Sequence, residues 1–189
     1  MSDLRQAKAA LRRQARARCA EISPPMQAGT SLCDRLKQTR IWQEAGTVLF
    51  FAPRTDEPDV WPLLELALAQ NKICALPGYV PHLKGYVARR INDPVHDVVP
   101  GKFGIREGAP SCPEISLNQL DLLLVPGVAF DSQGRRLGRG KGFYDRLLAA
   151  TRGTKCGVAF DEQLVPAVPV EPHDVVLDCI LTPTRWIKT

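Results

Sequence analysis

Residues 120–150 read LDLLLVPGVAFDSQGRRLGRGKGFYDRLLAA, and the change of pattern inside them decides the fold. Asp121 to Val125 opens the most apolar run of the chain and suits a central strand buried on both faces. FYDRLLAATRG, closed by Gly153, suits a helix. Between them, from Gly134 to Gly142, glycines are interspersed with Arg135, Arg136, Arg139 and Lys141. The carboxyl end of a central strand, just before a helix, is where open α/β sheets bind ligands. Backbone N–H groups and glycines let the main chain approach an anion there, and arginines grip phosphate or carboxylate through two donors at once. Neither named phosphate loop is matched. A P-loop would need glycine where Arg135 stands and Ser or Thr at Gly142, and the dinucleotide pattern would need glycine at Phe143. On these residues alone a flexible basic surface loop and a phosphate cradle both stand. Asp145, in the first helical turn, either caps the helix or holds Mg2+ against a phosphate.

Working outward, Thr47 to Ala52 reads as a buried strand, DVWPLLELALAQNK as a helix capped by Asp59, and Ile73 to Pro77 as another strand. Strand, helix, strand implies a parallel pair. GYVARRI is compatible with a strand, whereas Asp93 to Glu114 is rich in proline and glycine without periodicity and reads as loop. Downstream, KCGVAF and DVVLDCILT read as strands, the second being the last. At the other end, Leu4, Ala7, Leu11, Ala15 and Cys19 recur at helical spacing as a thin apolar stripe, with Arg5, Lys8, Arg12 and Arg16 elsewhere on the cylinder. A second helix, capped at Ser23, runs through Leu32 and Leu36 to the neighbourhood of Glu44, and Gly46 stops it. The expected fold is a three-layer αβα domain with a largely parallel, mixed central sheet, one domain over residues 1–189.

Composition narrows the class. The chain has 189 residues, 44% hydrophobic and 24% charged, with a formal net charge of +5, which fits an anionic small ligand at least as well as a nucleic acid. No run approaches the roughly 20 apolar residues of a membrane span, and MSDLRQAKAALRRQARAR lacks the apolar core of a secretion signal, so a cytoplasmic protein is expected. The six cysteines stand far apart, without a C-x-x-C pair, and read as buried small side chains or idle thiols.

LLLVPGVAFDSQGRRLGRGKGFYDRLL resembles the ATP-binding motif of the 5-formyltetrahydrofolate cyclo-ligase (methenyltetrahydrofolate synthetase) family. KAALR (Lys8 to Arg12), DEP around Glu57, FGIRE (Phe103 to Glu107) and VAFDEQLVPAVPVEPHDVVLDCILTP resemble its other elements, so the likeness spans nearly the whole chain. The departures are Phe143 where the family often has a second tyrosine, Gly108 where it often has proline, and Lys141 at a position that is Gly or Lys.

The resemblance implies an enzyme that closes a ring: ATP phosphorylates the formyl oxygen of 5-formyltetrahydrofolate, N10 attacks, and phosphate leaves to give 5,10-methenyltetrahydrofolate. It implies that Lys8 and Arg12 reach the ATP phosphates and that Arg136, Leu137, Gly138, Arg139, Gly140, Lys141, Gly142, Phe143 and Tyr144 wrap the nucleotide. Arg139, Lys141 and Tyr144 stand nearest the chemistry. Phe51, Ala52 and Glu57 face the reduced pterin, with Arg139 and Phe143 near both substrates, and Asp145 and Asp174 hold Mg2+. The partners implied are small molecules, with no nucleic acid and no membrane, and the chain is expected to be a monomer. Two alternatives remain at this level. One is a non-enzymatic nucleotide or nucleic-acid binder using RRLGRGKG as an electrostatic surface; the other is an enzyme on this scaffold acting on a different formylated or carboxylated molecule.

Overall fold

Leu122–Val125 lies at the middle of an eight-stranded sheet in the computed structural model, which describes residues 2–20 and 25–189, without the side chains of Ser2, residues 25–28, Phe103 and Phe143. In chain order the elements are α1 (Ser2–Ala20), α2 (Pro25–Lys37), α3 (Arg40–Glu44), β1 (Thr47–Leu49), α4 (Trp61–Ala69), β2 (Ile73–Val80), β3 (Gly85–Ile91), β4 (Val98–Pro100), β5 (Arg106–Gly108), β6 (Glu114–Ile115), β7 (Leu122–Val125), β8 (Ala129–Phe130), β9 (Arg136–Leu137), α5 (Phe143–Ala149), β10 (Thr154–Val158), β11 (Cys179–Leu181) and β12 (Trp186–Lys188). The sheet order is β12-β11-β10-β7-β1-β2-β3-β6. The inner strands β11, β10, β7, β1 and β2 are parallel, and β12, β3 and β6 are antiparallel at the two edges. This is the expected mixed α/β fold with a mostly parallel sheet.

Side chains alternate between the two faces of the sheet, as strand geometry requires. Val48, Leu122, Leu124, Cys156 and Val158 meet Leu32 and Leu36 of α2, Trp42 of α3 and Leu63 and Leu64 of α4. Leu49, Leu123, Val125 and Ile180 meet Leu147 and Leu148 of α5 on the other side. The cysteines are free thiols, five of them buried and Cys19 partly so, in keeping with their reading as small core side chains.

Several expected boundaries move. The second helix is broken between Lys37 and Arg40, where the Thr39 hydroxyl accepts the Trp42 N–H and starts α3. The cap expected at Ser23 lies outside the described residues. The strand expected over Thr47 to Ala52 pairs regularly only to Leu49, although the Phe50 N–H still donates to the Ala75 carbonyl. Asp59 accepts the Trp61 N–H at 2.9 Å, but the residue at the N-cap of α4 is Val60 and no side chain caps the helix. The supposed loop from Asp93 to Glu114 contains the β4–β5 hairpin and edge strand β6, each too short for a period-2 pattern to register. β12, after a turn at residues 182–185, follows the strand that was expected to be the last.

Helix α1 turns Leu4, Leu11, Ala15 and Cys19 of the expected stripe at least partly inward, but not Ala7. Ala7 is exposed, whereas Lys8 and Ala15 are buried and Leu11 and Arg12 partly so. Ala15 packs on Val128, Ala129, Leu137, Val165 and Val168, a small apolar cluster around the β8–β9 hairpin. Two cations therefore share the inward face with the apolar residues, a placement that composition-based amphipathicity assigns to the outside.

Candidate active site

The segments that follow β1, β2 and β7 gather at the carboxyl edge of the parallel strands, and the charged residues singled out above converge there. The glycine-rich stretch proves to be two structures. Asp131 accepts the Gln133 and Arg135 N–H groups, and Gly134, at φ +76°, completes a hairpin turn whose space leaves no room for a side chain beside the Leu177 carbonyl. The loop proper is then Gly138 to Gly142, with Gly140 at φ +93° and Gly142 at φ +65°, conformations that favour glycine.

Alternation along β9 separates two adjacent residues that the sequence cannot tell apart. Leu137 turns into the cluster under α1, while Arg136 turns the opposite way and is buried. Its Nη1 donates to the Pro126 carbonyl at 3.2 Å and its Nη2 to Asp145 Oδ1 at 2.6 Å, and its buried Nε has no hydrogen-bond partner. Asp145 is therefore engaged by a guanidinium, and α5, only seven residues long, starts at Gly142 without a side-chain cap. The guanidinium also lies 5.7 Å from the centroid of the Tyr144 ring. Burial first, and the charge of Glu57 second, push the Tyr144 hydroxyl up, so it remains a proton donor at neutral pH.

Arg139 reaches across to the segment after β1. Its Nη2 donates to Glu57 Oε1 at 2.9 Å and to Asp56 Oδ1 at 2.7 Å. Glu57 is 7% exposed, and its other oxygen accepts the Arg54 N–H at 3.1 Å. Burial raises its pKa, and the attraction of Arg139 offsets this only in part. Phe51 and Ala52, just upstream, are buried.

The amino-terminal helix closes a third side. Arg12 Nε donates to the Gly138 carbonyl at 2.9 Å, and its guanidinium lies 3.3 Å from where a Cβ on Gly140 would stand. Lys8 Nζ bridges Asp174 Oδ2 at 2.7 Å and Glu171 Oε2 at 2.8 Å. Burial works against the Lys8 charge, but these two carboxylates outweigh it and its pKa is raised; burial likewise works against Asp174, whose pKa Lys8 and the Glu171 N–H nevertheless lower. Glu171, His173 and Asp174 are the side chains among the described residues whose metal-ligating atoms lie mutually within 4.8 Å, and Asp145 is not one of them. Lys141 is exposed, and the side chain of Phe143 lies outside those described.

Lys8, Arg136 and Arg139 are each matched by carboxylates of the chain itself. Such a set has the chemistry to exchange partners, its cations suiting phosphate oxygens and its carboxylates a divalent metal. The residues fit a metal–nucleotide pair on two counts. Arg136 carries an unsatisfied buried donor, and the glycine loop brings its backbone close against the guanidinium groups of Arg136 and Arg12. Asp56 and Glu171 were not expected. Their signal was adjacency, one beside Glu57 and the other three residues before Asp174. A cavity of about 270 Å3 lined by Thr47, Ile73 and Arg90 lies at the opposite edge of the sheet and touches none of these residues.

The sequence model of the 5-formyltetrahydrofolate cyclo-ligase family matches residues 3–183. The 5-formyltetrahydrofolate cyclo-ligase of Escherichia coli strain K12 is 36% identical over 145 residues, covering 75% of this chain and 80% of that one. The enzyme of the same name from Mycolicibacterium smegmatis is 44% identical over 93 residues, an alignment spanning 48% of each chain. The NMR structure of Aquifex aeolicus 5,10-methenyltetrahydrofolate synthetase superposes with a TM-score of 0.86 at 29% identity, over 96% of this chain and 92% of that one.

Proposed function

The chain belongs to the 5-formyltetrahydrofolate cyclo-ligase family and is a ligase enzyme, and from that premise we propose that it converts 5-formyltetrahydrofolate to 5,10-methenyltetrahydrofolate with consumption of ATP. The observation that carries this reading is the contact of Arg139 with Glu57, which joins the nucleotide-type loop to the segment after β1. A phosphoryl donor and an acceptor must meet within bonding distance, and this pair brings the two half-sites together.

A formamide resists attack because its nitrogen donates into the carbonyl, the resonance that gives amide rotation a barrier of about 18–20 kcal/mol. Transfer of the γ-phosphoryl group to the formyl oxygen removes that resistance and turns the oxygen into part of a leaving group. N10 then adds to the formyl carbon and loses its proton as phosphate departs. Phosphoryl transfer asks the protein for alignment and for positive charge on the phosphate oxygens. Lys8, Arg12, Arg136, Arg139 and Lys141 supply the charge, and the Gly138 to Gly142 backbone supplies close approach. The Tyr144 hydroxyl is a neutral donor for an oxygen on which charge develops. Glu57 accepts N–H donors of the reduced pterin, with Phe51 and Ala52 forming the adjoining wall. Asp145 and Asp174 would hold Mg2+, which when bound supplies neutralisation of the β- and γ-phosphates.

In this reading residues 1–189 work as one unit, as a monomer in the cytoplasm, on small-molecule substrates. No helix among the described residues is long and apolar enough to cross a membrane. Purified protein given 5-formyltetrahydrofolate, ATP and Mg2+ should develop the near-ultraviolet absorbance of the methenyl product. The signal should vanish when ATP is omitted or the metal chelated. Equal product without ATP would overturn the reading.

A further inference from the structure

FGIRE ends in a carboxylate that the reaction above does not use. Glu107 is 6% exposed and accepts three hydrogen bonds: from the Tyr79 N–H at 2.8 Å, the Lys102 N–H at 2.9 Å and the Tyr86 hydroxyl at 3.1 Å. A Cβ on Gly101 would stand 2.3 Å from its Cγ and Cδ, so the hairpin backbone is shaped to admit this carboxylate. The bonds tie the β4–β5 hairpin to the carboxyl end of β2 and the start of β3, on the edge of the sheet that holds the site.

Tyr86 leads from Glu107 toward that site. Its ring meets Tyr79 edge-on, with centroids 5.4 Å apart, and Lys102 Nζ covers the Tyr79 ring at 3.7 Å. Strand β3 packs against α5, Arg146 of α5 donates to the Lys84 carbonyl at 3.1 Å, and Tyr86 and Tyr144 rest on the same apolar cluster. Burial, then the charge of Glu107, push the Tyr86 hydroxyl up, which keeps it a donor at neutral pH.

We infer that Glu107 is a positioning residue for the folate: by holding the Tyr86 hydroxyl and the Tyr79 and Lys102 backbone, it sets the aromatic corner of Tyr79 and Tyr86, beside Tyr144, against which the flat pyrimidine ring of the reduced pterin lies. This rests on the proposed function. Glutamine cannot replace the carboxylate without turning its amide N–H groups toward a backbone N–H that needs an acceptor.

The test compares Glu107→Gln, Tyr86→Phe and the double variant with wild type, reading equilibrium binding of 5-formyltetrahydrofolate and of ATP separately, together with the KM for each. Loss of a hydrogen bond that orders the corner should raise the folate Kd and KM roughly three- to tenfold in each single variant. ATP binding should be unchanged, and the double variant no worse than the worse single one. Unchanged folate binding in both single variants would overturn the inference, as would parallel loss of ATP and folate binding, the mark of general loosening. Tyr86→Phe, which removes only a hydroxyl, keeps the test decisive if Glu107→Gln does not fold. Should wild type bind the folate without turning it over, the proposed reaction fails while the binding comparison still judges Glu107. Should it bind no folate, both fail.

Discussion

Glu57 is a buried carboxylate whose neighbours only partly compensate its burial, and that imbalance has a measurable sign. With its folded pKa raised, mainly by burial, whatever it contributes to stability is present below the ordinary glutamate range and is lost as pH rises through the raised value. Glu57→Gln removes this titration. The stability of the variant relative to wild type should therefore climb as pH rises through that window, in paired urea melts, while folate binding at neutral pH is lost. A stability difference independent of pH would show that Glu57 is no more perturbed than a surface carboxylate. The residue scale is also where the sequence is least legible. Arg135 and Arg136 are neighbours in a string of cations, and only the two-residue strand β9 decides that Arg136 is buried against Asp145 while Arg135 remains partly exposed. Glu57, Arg139, Lys8 and Asp174 could be named from the resemblance, but which of them pair depends on chain reversals that no local pattern encodes.

Among the elements, α1 is secured more by polar bonds than by apolar packing. Its inward face offers little beyond Leu11 and Ala15, so Lys8 and Arg12 take over the attachment. Replacing Lys8 by Met leaves Asp174 and Glu171 without their cation and loosens the attachment of α1. Amide exchange in α1 should speed up and ATP should bind more weakly, with the sheet strands unchanged. Unchanged exchange in α1 would mean that the helix does not depend on the clasp. Asp174 has a lowered pKa, so its share of stability is present above the ordinary aspartate range and is lost as pH falls through the depressed value. Lys8 has a raised pKa, so its share is lost only as pH rises above the ordinary lysine value, and the clasp holds across neutral pH. The apolar spacing of α1 announced the helix and most of its inward face, Leu4, Leu11, Ala15 and Cys19, but not that Lys8 and Arg12 share that face, because hydropathy counts a lysine as outward whatever carboxylates await it. The β4–β5 hairpin escaped notice for a different reason: three-residue strands held by Glu107 and backbone bonds leave no periodic trace.

Across the whole molecule, the buried parallel strands were legible because each carries its burial in its own composition: LDLLLV, TVLFFA and KCGVAF need no neighbours to be recognised. The edge strands β6 and β12 were not, since an edge is defined by what it pairs with. Membership of an enzyme family sets aside the non-enzymatic reading of the chain, and the structure supplies a reason for the charge of the basic loop, since Arg136 and Arg139 meet buried or partly buried carboxylates. The account holds that the two half-sites joined by Arg139 and Glu57 pass a phosphoryl group to the formyl oxygen. The most direct measurement uses 5-formyltetrahydrofolate carrying oxygen-18 in the formyl group, with the released phosphate analysed by mass spectrometry. The account predicts that the label appears in inorganic phosphate in step with the methenyl product. Unlabelled phosphate, with the heavy oxygen recovered in water, would contradict it.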